Sequence, residues 1–81
     1  MEPAVAFGRV LRKKRLEASL TQEKLALEAG LERVFISWLE TGRKQPTFQT
    51  MLKLASALDC KASTLVSEAE VLLTDDDSYL L

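Results

Sequence analysis

An all-α domain of five short helices is the fold class this sequence predicts, and three observations predict it. Apolar residues recur at three- and four-residue spacing along most of the chain. No segment sustains the two-residue alternation of a half-buried strand, and β-branched residues are scattered. Caps and breakers (Pro3, Thr21, Gly30, Gly42 and Thr47) fall where short helices would begin or end. With 81 residues the chain suffices for one compact domain and is too short for two. That domain is expected over residues 1–73, with a tail at 74–81 that is acidic and then apolar.

The first helix is expected from about Ala4 to Ala18, after Pro3, whose fixed φ suits a first turn and whose missing N–H costs nothing there. Phe7, Val10 and Leu11 form its apolar stripe, with arginines and lysines mostly opposite. The second begins after Thr21, whose hydroxyl can accept from an unpaired backbone N–H of the first turn. Glu23 adds a favourable charge at the positive end of the helix dipole. Leu25, Ala26 and Ala29 face inward, and Gly30 closes the helix in the left-handed conformation. The third covers about Arg33 to Thr41, with Ile36 and Leu39 spaced for burial and Gly42 as terminator.

After the loop Arg43-Lys44-Gln45-Pro46, Thr47 caps a fourth helix, about Phe48 to Leu58. Its apolar residues are Met51, Leu52, Leu54, Ala55 and Leu58. The fifth runs from about Ala62 to Leu72 and carries Leu65, Val66, Ala69, Leu72 and Leu73. The aspartates at 75–77 are poor helix formers, so the tail is expected to be extended or mobile.

Composition narrows the chemistry. The hydrophobic fraction of 47% is enough to build a core. No apolar run approaches the length of a bilayer span, and Met1 to Arg9 lack the charged-then-apolar order of a secretory leader. A cytoplasmic location without membrane contact is therefore expected. Histidine is absent and Cys60 is the sole cysteine, so an internal disulfide is impossible and zinc or haem sites lose their usual ligands. No phosphate-cradling loop or nucleophile–base pair is visible. The expectation is a protein without catalysis, metal or cofactor, in which Cys60, beside Leu58 and Ala62, is a small core residue.

The formal net charge is −1, whereas nucleic-acid-binding domains are usually basic. The distribution resolves this. Residues 1–53 hold ten lysines and arginines against six acidic residues, while residues 54–81 hold one against six. One end of the domain can face phosphates while the other faces away. The run Arg12 to Arg15 fits either that role or an ordinary solvated helix face.

The most informative unit is Thr21 to Glu40. Two short helices joined by a tight glycine-containing turn make a helix-turn-helix. Ala26 is small where the two helices must cross, Gly30 makes the turn, and Ile36 and Leu39 anchor the second helix. Arg33, Val34, Ser37 and Trp38 are left on its outer face.

The order Gln22, Ala26, Gly30, Ile36, Leu39 resembles the helix-turn-helix of the lambda-repressor/Cro type, the Xre family. Arg15 before the motif and Glu40 at its end match too, as do the Gly-Arg-Lys-x-Pro run from Gly42 and the Leu-Ala-x-Ala-Leu of the fourth helix. The similarity covers roughly residues 7–66. It implies a five-helix lambda-repressor-like DNA-binding domain, acting as a transcriptional regulator with its third helix in the major groove.

Position by position, the resemblance implies base contacts by Arg33, Val34, Ser37 and Trp38. Arginine can donate twice to guanine O6 and N7, and valine can pack on a thymine methyl. Trp38 is bulkier than is usual there, and a packing or dimer-contact role stays open beside groove contact. Gln22, Thr41, Arg43 and Lys44 match positions that hold phosphates, and Arg15 with Glu40 resembles a buried structural ion pair. Glu32 departs from the Ser, Thr or Asp expected as a cap; it can accept from a cytosine amino group or simply repel phosphate.

A single module reads few base pairs, so a homodimer on a pseudo-palindromic operator of double-stranded DNA is expected. Leu65, Val66, Ala69, Leu72 and Leu73 are the expected dimer surface, with completion of the monomer core as the alternative. RNA polymerase is a further candidate partner. Size alone also resembles the controller proteins of restriction-modification systems. A second function remains open: an antitoxin or anti-regulator whose partner is another protein, favoured by the apolar end Tyr79-Leu80-Leu81.

Overall fold

The turns between helices explain how so short a chain closes on itself. The structure, a computed structural model, describes residues 1–75. The expectations for the rest of the tail, Tyr79-Leu80-Leu81 included, lie outside the described residues. Five helices follow one another: α1 (Pro3–Glu17), α2 (Gln22–Ala29), α3 (Arg33–Glu40), α4 (Phe48–Ala57) and α5 (Ala62–Thr74). Each of the first four ends in the same way. A backbone N–H beyond the helix returns to a carbonyl five residues earlier: Leu20 to Arg15 (3.1 Å), Leu31 to Ala26, Arg43 to Trp38 and Cys60 to Ala55 (2.9 Å each). The residue just before each returning one is left-handed, namely Ser19, Gly30, Gly42 and Asp59. This closure satisfies helix-end carbonyls that would otherwise need water. The glycines announced two of these turns. Ser19 and Asp59, at φ 59° and 55°, did not, because neither is a residue type that marks a left-handed position as glycine does.

The threonine caps form as expected. Thr21 accepts from the Lys24 N–H at 3.0 Å and Thr47 from the Thr50 N–H at 3.1 Å. Glu32 makes no side-chain cap to α3. Helix α5 runs two residues past its expected end to Thr74, whose hydroxyl donates to the Glu70 carbonyl at 2.7 Å, with Asp75 as its C-cap.

One core draws on all five helices, with Leu11, Leu25, Ile36, Leu39, Leu54 and Leu65 wholly inside it. Helix α1 packs on α3 and α5, α2 on α3 and α4, and α4 on α5. Closing this ring decides the fate of α5. Leu65, Ala69 and Leu73, spaced one turn apart, are buried in the chain's own core, as the alternative reading of this stripe has it. Val66 and Leu72 stay accessible on opposite flanks, Val66 beside Met51 and Pro46, Leu72 beside Val10 and Arg9. Cys60 packs half-buried against the core, and that burial pushes its thiol up from the ordinary value. No helix among the described residues is long and apolar enough to cross a membrane.

Gly8 went unremarked in the sequence and is the tightest point of the fold. A Cβ built there would overlap the Leu39 carbonyl oxygen and lie 2.6 Å from that of Glu40. Helix α1 thus crosses the end of α3 with backbone against backbone. Gly8→Ala is expected to lose about 1–3 kcal/mol through overpacking, read as a lower urea midpoint, although alanine is the better helix former.

Candidate nucleic-acid interface

The position of α3 is set from its C-terminal end. Arg15, buried on α1, donates from Nε to Glu40 Oε2 at 2.6 Å and from Nη2 to Oε1 at 3.0 Å. Its Nη1 donates to the Leu20 carbonyl at 2.9 Å, tying in the turn that leads to α2. Gln22, on the first turn of α2, donates from Nε2 to Glu40 Oε1 at 3.1 Å. Three elements therefore meet on one carboxylate. The bidentate fork makes the contact directional as well as attractive. The hydrogen bond it donates to Glu40 also raises the Arg15 pKa, so the guanidinium stays charged at any ordinary pH.

With Ile36, Leu39 and Glu40 turned inward, the remaining face of α3 looks out. Arg33 is exposed and Val34 is 43% exposed. Ser37 and Trp38, one turn on, are half-buried. The four expected base-contact residues thus share one face, graded from open at the N-terminal end of α3 to partly covered at its C-terminal end.

The expected phosphate contacts are placed less uniformly. Arg43 and Lys44 are exposed beside the end of α3. Arg43 Cζ lies 5.8 Å and Lys44 Nζ 5.9 Å from the centroid of the Trp38 ring. Gln22 has one amide N–H engaged by Glu40, so it belongs to the ion-pair cluster as well. Thr41 Oγ1 donates back to the Ser37 carbonyl at 2.9 Å, with the Trp38 carbonyl at 3.3 Å. Its hydroxyl proton is therefore turned into α3, and donating to a phosphate would require it to rotate.

The basic run of α1 divides. Arg15 is inside, and Lys14 Nζ is 2.6 Å from Glu68 on α5, a bond that raises its pKa. Lys13 faces the same carboxylate at 3.9 Å, while Arg12 points outward. The run is thus chiefly a brace between α1 and α5 rather than a continuous charged patch. Neither this brace nor the stacking on Trp38 left a signal in the sequence, because both join residues brought together only by folding.

A family model described as "Helix-turn-helix" (HTH_3) matches residues 11–65, and the chain belongs to that family, as a DNA-binding transcriptional regulator of the Xre type. Its relatives include y4dJ of Sinorhizobium fredii, an uncharacterized HTH-type transcriptional regulator. It is 38% identical over 56 residues, covering 69% of this chain and 73% of that protein. Control protein C.BamHI of Bacillus amyloliquefaciens is 36% identical over 61 residues, covering 74% of this chain and 75% of that protein. The crystal structure of the restriction-modification controller protein C.AhdI from Aeromonas hydrophila matches with a TM-score of 0.75 at 39% identity. It covers 76% of this chain and 94% of that one.

Removing one partner of the buried pair leaves the other charge stranded. Glu40→Ala is expected to lose about 3–5 kcal/mol of stability, whereas Arg15→Met with Glu40→Leu loses less than Glu40→Ala alone. Thermal unfolding of the three chains checks the order, and a double variant less stable than the single one would contradict it.

Proposed function

We propose that this chain is a cytoplasmic transcriptional regulator that binds a pseudo-palindromic operator as a homodimer, with α3 in the major groove. The observation that carries the reading is the division of α3. One face is locked into the core through Ile36, Leu39 and the Arg15–Glu40 pair, and the other presents Arg33 and Val34 to solvent. A helix held this way enters a groove without unfolding anything. Arg33 donates to guanine O6 and N7, Val34 packs on a thymine methyl, and Ser37 and Trp38 complete the surface. Arg43 and Lys44, with Gln22 and Thr41, grip the flanking phosphates. Bound at a promoter, such a dimer represses or activates by blocking or touching RNA polymerase. The likeness to control proteins of restriction-modification systems supports a small regulator of this kind.

With Leu65, Ala69 and Leu73 committed to the core, the dimer surface needs other apolar residues. Phe48 and Leu52, one turn apart on α4, are 68% and 48% exposed. Met51 between them borders the groove that Val66 of α5 also lines. We assign the dimer contact to this α4–α5 face, with Val66 kept from the expected set.

Selection from random duplex DNA, run beside light scattering, tests the whole reading: a two-fold symmetric site and a dimeric mass are expected. Arg33→Ala is expected to cost about 1–3 kcal/mol at the selected site and to relax preference at one base pair. Unchanged affinity and preference would remove Arg33 from base readout. Phe48→Asp is expected to give a monomeric mass with unchanged helix content by circular dichroism, and a dimer that survives it would move the interface elsewhere.

A further inference from the structure

Of the four helix-closing turns, the one after α3 differs in what it returns to the fold. In the other three the returning residue is Leu20, Leu31 or Cys60, each half-buried against the core. Here it is Arg43, which is exposed, and Lys44 follows it. The apolar contact that normally secures such a closure is missing. Another residue takes its place. The Trp38 carbonyl accepts from the Arg43 N–H at 2.9 Å and the Lys44 N–H at 3.3 Å, while the Trp38 ring receives both cationic side chains at 5.8 and 5.9 Å. Gly42, at φ 78°, reverses the chain so that backbone and side chains return to the same residue.

Two positive charges drawn to one ring repel each other. The negative π-face of an indole offsets that repulsion at centroid distances up to about 6 Å. Long basic side chains otherwise sample many rotamers in water and lose that freedom when they take hold of a phosphate. Trp38 is half-buried on α3, a helix whose opposite face is locked into the core through Ile36 and Leu39. From these contacts we infer that Trp38 is a positioning residue: it orders Arg43 and Lys44 for the DNA backbone and does not read base edges. This rests on the operator-binding reading and reassigns one residue within it.

The test has a DNA-free arm and a DNA arm. In the free wild-type protein, ring currents are expected to move the Arg43 and Lys44 side-chain proton resonances upfield, a shift that Trp38→Leu abolishes and Trp38→Phe retains in part. Absence of the shift in wild type would overturn the inference without any variant having to fold. In the DNA arm, Trp38→Leu is expected to weaken the selected site and a random duplex alike, by about tenfold. It is also expected to reduce the salt slope by about one to two, with Trp38→Phe restoring most of both. Loss confined to the selected site with an unchanged slope would make Trp38 a base reader, and no loss on either duplex would deny it any role; both outcomes overturn the inference. Wild-type protein that binds no duplex would remove the operator reading and this inference with it, a result distinct from wild-type binding that Trp38→Leu leaves untouched.

Discussion

A guanidinium on α1 and a carboxylate at the last turn of α3 share a buried fork of two hydrogen bonds, and the orientation of the outward face depends on it. In net energy such a pair is a modest stabiliser, because both ions must leave water to form it. Its value is directional. Leu and Ile contacts tolerate sliding and rotation, whereas a planar fork accepts its partner in one geometry. Arg15 also donates to the Leu20 carbonyl and the Gln22 amide donates to Glu40, so α1, the first turn and α2 all meet at the same ion pair. With Gly8 letting α1 lie against the backbone of α3 itself, the third helix has little room to roll.

Charge in this domain is sorted by what it touches. Arg15 is spent inside on Glu40 and Lys14 nearer the surface on Glu68, and they brace the first helix against the third and the fifth. Arg33, Arg43 and Lys44 remain exposed around the ends of α3. A net charge of −1 is thus no obstacle to an anionic partner, because the field at a contact is set by nearby charge rather than by the total.

Much of the fold was legible because it is written locally. Thr21 and Thr47 cap, Gly30 and Gly42 reverse the chain, and apolar stripes three and four residues apart mark the buried faces. These signals act within a turn or two of helix and survive reading as text. The fifth helix shows where such reading stops. Its stripe announced that Leu65, Ala69 and Leu73 would be covered, and periodicity is silent on whether the cover is the same chain or a second copy. In the folded chain α1 and α4 pack against α5 and cover these three residues. The exposed Phe48 and Leu52 were hidden from sequence reasoning for the same reason: they belong to an apolar helix whose other side suffices for the core.

By itself the sequence determined the class of the fold, the order and nearly the limits of its helices, and which residues of the third helix would share a face, since each of these follows from steric and hydrogen-bonding preferences over a few residues. Only the tertiary structure decided which of those residues stand open, that Gln22 joins the ion pair, that α5 is spent on the core, and that Arg43 and Lys44 gather on Trp38. The physical reason is range. Solvent exposure and contacts between distant side chains are properties of how helices pack, and packing is settled by the competition of all five for one small core.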